Sequence, residues 1–219
     1  MSDKFVTLTP ELAAYISAHR SPDPDSVLDE LRTETEKLGS ISGMQISAEQ
    51  GTFLSLLVAA TGATSAIEVG TFTGYSSISI ARGLPAGGKL LCFDISEEWT
   101  NIARRYWKLA GVDEKIELKL GAAVETLAAM DPALQFDFAF IDADKPGYDA
   151  YYEAILPRMR ANGLLIFDNM LRGGTVVGGD PNDEGIKVIT DLNAKLAGDS
   201  RVQSVLLPIA DGLNICRKL

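Results

Sequence analysis

Two apolar runs in the second half of the chain end in oxygen-bearing side chains: Phe140-Ile141-Asp142-Ala143-Asp144-Lys145 and Leu165-Ile166-Phe167-Asp168-Asn169. Such runs read as buried strands of an α/β sheet, and ligands bind beyond the carboxyl ends of those strands. Asp142, Asp168 and Asn169 are thereby placed to converge as an all-oxygen site. That donor set suits a hard divalent cation, Mg²⁺ by default and Mn²⁺ or Ca²⁺ as alternatives. Taken singly, each run has a plainer reading: Asp168-Asn169 as a turn and helix cap, Asp142 to Lys145 as a solvated charged loop.

A further strand-like run, Ile67-Glu68-Val69, enters the turn Gly70-Thr71-Phe72-Thr73-Gly74. Glycine tolerates positive φ and lets a ligand approach the backbone closely. A helix opening near Tyr75 would aim its first N–H groups at an anion. Glu68 can accept hydrogen bonds from a cationic or amine-bearing ligand. The next strand ends in Asp94, the position of an acid that holds a ribose hydroxyl. Phe72 stands where a dinucleotide fingerprint has its middle glycine, which counts against NAD.

The elements that must position these residues follow a strand–helix rhythm from Ser65 onward. Strands are predicted at 65–69, 88–93, 115–120, 136–141, 162–167, 202–207 and 213–217, and helices near 75–83, 97–110, 122–130, 147–160 and 184–197. The pattern predicts an α/β fold, a doubly wound and mostly parallel seven-stranded sheet. The short link Pro208 to Gly212 predicts a closing hairpin, so the last strand is expected antiparallel, at the sheet edge. Three helices precede the sheet. Thr9-Pro10 caps the first, which runs to about Arg20; Val27, Leu28, Leu31, Thr35 and Leu38 mark the second, ending at Gly39. Ser47 and Gln50 form a capping box for the third. These helices, within 1–62, are expected to lid a pocket or face a partner, and 63–219 to form the Rossmann-like core of a single domain.

With 30 acidic against 20 basic residues the formal net charge is −10, which disfavours a phosphate-backbone grip and hence nucleic acid as a partner. No apolar run is long enough to span a bilayer. Met1-Ser2-Asp3-Lys4-Phe5 lacks a signal-peptide core, so a cytoplasmic location is expected, with Cys92 and Cys216 as buried thiols. The single histidine, His19, excludes a histidine-rich zinc centre and would alone have to serve a Ser-His-Asp triad.

Several motifs in order resemble the cation-dependent O-methyltransferases, the caffeoyl-CoA and catechol O-methyltransferase group of class I S-adenosylmethionine enzymes. They are Met44-Gln45-Ile46-Ser47, Glu68 through Ser77, Ala103-Arg104-Arg105-Tyr106-Trp107, Ile141 through Lys145, Asp168-Asn169 and Leu206 through Gly212. The likeness runs from about Leu31 to the C-terminus. It implies a Rossmann-like methyltransferase sheet, a homodimer, and a small aromatic vicinal diol as acceptor. It also implies that Glu68, Gly70, Thr71 and Ser76 surround the amino acid part of S-adenosylmethionine and that Asp94 binds its ribose. Ala123 would donate its N–H to adenine, Ile46 would border the pocket, and Met44 would lie near the sulfonium or simply pack. Asp142 would touch both cofactor and metal, completed by Asp168 and Asn169. Lys145, three residues beyond Asp142, reads as a general base beside a dication, the preferred reading, or as a surface lysine paired with Asp144.

One departure follows Asn169. Many relatives, especially plant ones, carry an aromatic residue where this chain has Arg172. It reads either as a partner for an acidic substrate group or, the preferred reading here, as surface. Asp144 reads equally as a cap or a substrate contact, Asp211 as a turn residue or a neighbour of the second hydroxyl. Tyr148, Tyr151 and Tyr152 read as packing for an aromatic acceptor or, the preferred reading, as helix-core packing. Two competing functions share this fold: an NAD(P)-dependent oxidoreductase and a non-catalytic S-adenosylmethionine-binding protein.

Overall fold

The structure, a computed structural model, describes residues 6–219; the leader reading of Met1 to Phe5 lies outside them. Seven strands form one sheet: β1 (Ser65–Val69), β2 (Lys89–Asp94), β3 (Ile116–Leu120), β4 (Phe136–Ile141), β5 (Met159–Phe167), β6 (Val202–Leu207) and β7 (Leu213–Lys218). Their order is β3-β2-β1-β4-β5-β7-β6. The first five run parallel, and β7 is antiparallel to both its neighbours. The antiparallel strand is thus not at the edge as expected. It threads between β5 and β6, where it satisfies the backbone groups of both, and β6 becomes the edge.

Strands of a parallel sheet are apolar on both sides because helices cover both faces. On one face Ala66, Leu90, Cys92, Phe138, Phe140 and Ile166 meet four helices: α2 (Val27–Glu36), α3 (Ala48–Thr61), α4 (Tyr75–Gly83) and α5 (Glu97–Leu109). On the other, Ile67, Val69, Phe93, Ile141 and Phe167 meet three: α6 (Ala123–Ala129), α7 (Tyr148–Ile155) and α8 (Glu184–Gly198). The helix α1 (Pro10–Ala18) starts with Thr9 accepting from the Leu12 N–H and buries none of its side chains. Among the described residues no helix is long and apolar enough to cross a membrane.

Two boundaries differ from expectation for local reasons. The helix read over 147–160 stops at Ile155 and becomes a 3₁₀ turn, Leu156–Arg158. Pro157 sits there without an N–H to continue the ladder. In addition, β5 begins early, pairing Phe136 with Met159 before its register shifts at Leu164.

Candidate active site

The order β3-β2-β1-β4-β5 reverses between β1 and β4, and such a switch point opens a crevice at the strand carboxyl ends. Register fixes what stands there. Val69 pairs with Phe93 and Ile141, and Ile141 pairs with Phe167. The next residues along these four strands form one row: Asp94, Gly70, Asp142, Asp168. Backbone bonds extend the ladder to that row, Gly70 N–H to Phe93 O, Asp142 N–H to Val69 O and Asp168 N–H to Ile141 O. A cavity of about 930 Å³ opens above it, lined also by Ile46, Ser76, Trp99, Ala123, Lys145 and Asn169.

Gly70 disfavours any side chain on two counts. Its φ is +93°, and a Cβ there would lie 1.9 Å from the Asp142 carbonyl oxygen. Beyond it, Asp94 Oδ2 accepts the N–H groups of Thr71 at 3.0 Å and Phe72 at 2.8 Å, while Oδ1 accepts from Ser96 N–H at 2.8 Å. Two of the turn's donors, the N–H groups of Thr71 and Phe72, are therefore spent on a carboxylate. A pyrophosphate would meet negative charge where a dinucleotide fold offers N–H groups, a physical reason beyond Phe72 for rejecting NAD.

Glu68 lies one row deeper and is fully buried. Cys92 Sγ donates to its Oε2 at 3.3 Å, while Oε1 has no hydrogen-bond partner. Burial pushes its pKa up to about 8, against the pull of Ser76, Cys92 and Thr71. An orphaned carboxyl oxygen beneath the glycine turn fits a cofactor that brings an amine or other cation. Thr71 is buried and donates to Phe93 O, and Ser76 is buried in the first turn of α4. Ala123 opens α6, so its N–H has no intrahelical acceptor. Ile46 is buried at the wall, whereas Met44 stays half-exposed.

At the other end, Lys145 Nζ donates to Asn169 Oδ1 at 2.6 Å, Tyr148 Oη at 2.6 Å and Asp142 Oδ1 at 3.2 Å. Asp144 positions it: its Oδ2 caps the turn at the Gly147 N–H, and its Oδ1 accepts from Tyr151 Oη. Asp168 is buried, with Asn169 N–H donating to Oδ1 at 2.6 Å. Its pKa is pushed up to about 7 by burial and by the charge of Asp142. Burial likewise raises Asp142, against the pull of Lys145. Two crowded carboxylates and an amide oxygen, which already draw an ammonium to Asp142 and Asn169, are a donor set that fits a hard cation.

Gln50 was missed. Ser47 does cap α3 by accepting the Gln50 N–H, but the Gln50 side chain does not return to complete a capping box. Its Nε2 donates to Asp168 Oδ2 at 2.7 Å. Trp99 was also missed; it meets Phe72 edge to face at 5.1 Å and walls the cavity beside Asp94. Asp211 holds a turn, its Oδ1 accepting Gly173 N–H at 2.6 Å, and lines the rim. Tyr148 and Tyr152 are buried in the core as expected.

Sheet order and strand-end cavity together define a Rossmann-like methyltransferase fold. The O-methyltransferase family profile matches residues 17–219. Tricin synthase 2 of Oryza sativa subsp. japonica is 40% identical over 208 residues, spanning 90% of this chain and 71% of the rice protein. Caffeoyl-CoA O-methyltransferase 2 of Petunia hybrida is 36% identical over 212 residues, spanning 91% and 85%. The crystal structure of an O-methyltransferase from Bacillus cereus in complex with SAH matches with a TM-score of 0.86 at 32% identity, covering 95% of this chain and 97% of that one. The chain belongs to the O-methyltransferase family of the caffeoyl-CoA O-methyltransferase type, enzymes dependent on S-adenosylmethionine. That membership sets aside both the hydride-transfer and the non-catalytic readings.

Proposed function

We propose that this enzyme transfers a methyl group from S-adenosylmethionine to one hydroxyl of a vicinal dihydroxy aromatic, in a reaction that requires a divalent metal. Asp142, Asp168 and Asn169 would hold the metal, Mg²⁺ by default and Mn²⁺ or Ca²⁺ in its place. One observation carries the reading: carboxyl and amide oxygens from two adjacent strand ends share a single cation, the Lys145 ammonium, beside the cofactor cavity. When bound, the metal supplies a Lewis acid and a template that favours ionisation of a phenol with pKa near 10.

The chain's own groups do the rest. Glu68, Gly70, Thr71 and Ser76 enclose the amino acid part of the cofactor, Asp94 takes its ribose, and the Ala123 N–H meets adenine. Ile46 and Trp99 exclude water from the two sides. Once one ammonium proton has been given up to solvent, the neutral amine of Lys145, steadied by Asp144 and Tyr148, receives the proton of the acceptor hydroxyl at Nζ. Fixing the oxygen behind the transferred carbon contributes on the order of 7–11 kcal/mol. Two further parts of this reading are a cytoplasmic location, which the free, buried Cys92 and Cys216 support, and a homodimer, for which α1 offers an unburied surface.

The direct test incubates purified protein with S-adenosylmethionine and a panel of catechols, with Mg²⁺ or with EDTA, and reads products by mass spectrometry. One added methyl group in Mg²⁺ alone is the expected result. Equal turnover in EDTA would recast Asp142, Asp168 and Asn169 as structural.

A further inference from the structure

Five non-glycine residues among those described hold a positive φ: Phe72, Asn162, Asn169, Arg172 and Ala210. All but Asn162 line the cavity. Left-handed backbone at such residues costs on the order of 1 kcal/mol or more and persists where the surroundings over-determine it. At Arg172, with φ +50°, the fixings are visible. Its N–H donates to Asn169 O at 3.2 Å, and its carbonyl accepts from the Thr175 N–H at 3.1 Å and hydroxyl at 2.5 Å. The next N–H, of Gly173, is held by Asp211 Oδ1. This backbone is locked one turn beyond a proposed metal ligand.

The side chain is left room and left without a partner. A Cβ on Gly185 would lie 2.7 Å from Arg172 Nη2, so the guanidinium rests where α8 begins without a side chain. Asp183 lies across Gly185, but its Oδ1 accepts the Gly185 and Ile186 N–H groups as the cap of α8. Asp211 is committed to Gly173. No carboxylate among the described residues forms an ion pair with Arg172. The cavity's only other cationic lining side chain is Lys145, which already donates to three acceptors.

We infer that Arg172 selects acceptors whose catechol ring carries a carboxylate on a short side chain. The inference rests on the catechol reading above and deepens it. A chain of net charge −10 repels an acidic substrate unless a local cation offsets the field. Arg172 supplies that cation as a planar fork matched to a carboxylate. Its backbone follows Asn169 by one turn and the residue lines the cavity, so the carboxylate it would meet belongs to the ring's own substituent and not to a distant carrier group. Arg172 is exposed, as its surface reading expects, and the inference gives that exposed side chain at the cavity mouth a ligand.

The test compares 3,4-dihydroxybenzoate with its methyl ester, using S-adenosylmethionine and Mg²⁺, in the parent enzyme and in Arg172→Met and Arg172→Lys. The parent is expected to prefer the acid, and the acid-to-ester ratio of kcat/KM to fall about tenfold or more in Arg172→Met. That loss should be carried by KM for the acid, with part of the ratio kept in Arg172→Lys. Ester turnover with no preference for the acid in the parent, or a ratio within about threefold of the parent in Arg172→Met, overturns this inference and leaves the catechol reading standing. Absence of turnover with either compound overturns both.

Discussion

Gln50 Nε2 donates to Asp168 Oδ2 at 2.7 Å, joining residues 118 positions apart. Both side chains are buried, so the N-terminal helix α3 reaches through the core to orient a carboxylate at the end of β5. Asp168 spends Oδ1 on the Asn169 N–H and Oδ2 on Gln50. Its remaining lone pairs are therefore directed, and a directed carboxylate binds a metal better than a free one.

Replacing Gln50 with Leu should lower unfolding free energy by about 1–3 kcal/mol, because a buried acceptor loses its donor. Urea titration measures that change. Calorimetry with Mn²⁺ should show affinity weakened about tenfold. Unchanged stability together with unchanged Mn²⁺ affinity would mean that the bond orients nothing.

Asn169→Ala removes a neutral donor oxygen and the 2.6 Å acceptor of Lys145. Mg²⁺ titrations of activity should shift to higher metal by roughly 10–100-fold, while cofactor binding followed by calorimetry holds. Loss of cofactor affinity with no shift in the metal curve would move Asn169 out of the proposed metal site.

Glu68 sets a pH dependence of stability. Its folded pKa, about 8, stands above its ordinary 4.5, so the folded state holds the proton more tightly than the unfolded chain. Stability from this group is complete below pH 4.5 and is lost as pH rises through 8, by an amount on the order of a few kcal/mol. Asp168, raised to about 7, slopes the same way. Glu68→Gln should therefore flatten, without abolishing, the fall in melting temperature of the metal-free protein between pH 5 and 8, a window taken from those two shifts. A slope identical to the parent's would show that Glu68 is ionised throughout.

Gly70→Ala and Gly39→Ala separate backbone conformation from crowding. Both positions have positive φ, but only at Gly70 does an added Cβ collide, with Asp142 O. Denaturation should show a cost of about 1 kcal/mol at Gly39 and about 3 kcal/mol or more at Gly70. Similar costs would imply that β4 can shift to accommodate the methyl group.

What was legible in the sequence was whatever local pattern encodes. Apolar runs ending in Asp94, Asp142 and Asp168 marked strand ends, and the parallel register then set them side by side. Illegible were relationships made only by folding. Gln50 sits three residues after Ser47, so the local rule offered a capping box; its partner is fixed by α3 docking on the sheet. The β6–β7 hairpin was visible in Pro208 to Gly212, but not the insertion of β7 beside β5, because hairpin strands look alike whichever of them is inner. Trp99 carried no local signal separating a cavity wall from core.

The loop bearing Arg172 is stitched to the β6–β7 turn. Met170 N–H donates to Gly212 O at 3.0 Å and Leu171 N–H to Asp211 O at 2.8 Å, besides the Gly173 bond. The two segments are thus one inheritable unit, although some 40 residues of chain separate them. A chimera that transplants 170–179 from a relative without 209–212 would seat a foreign loop on a turn shaped for the native one, and the paired graft is the one expected to carry the donor's acceptor preference with it.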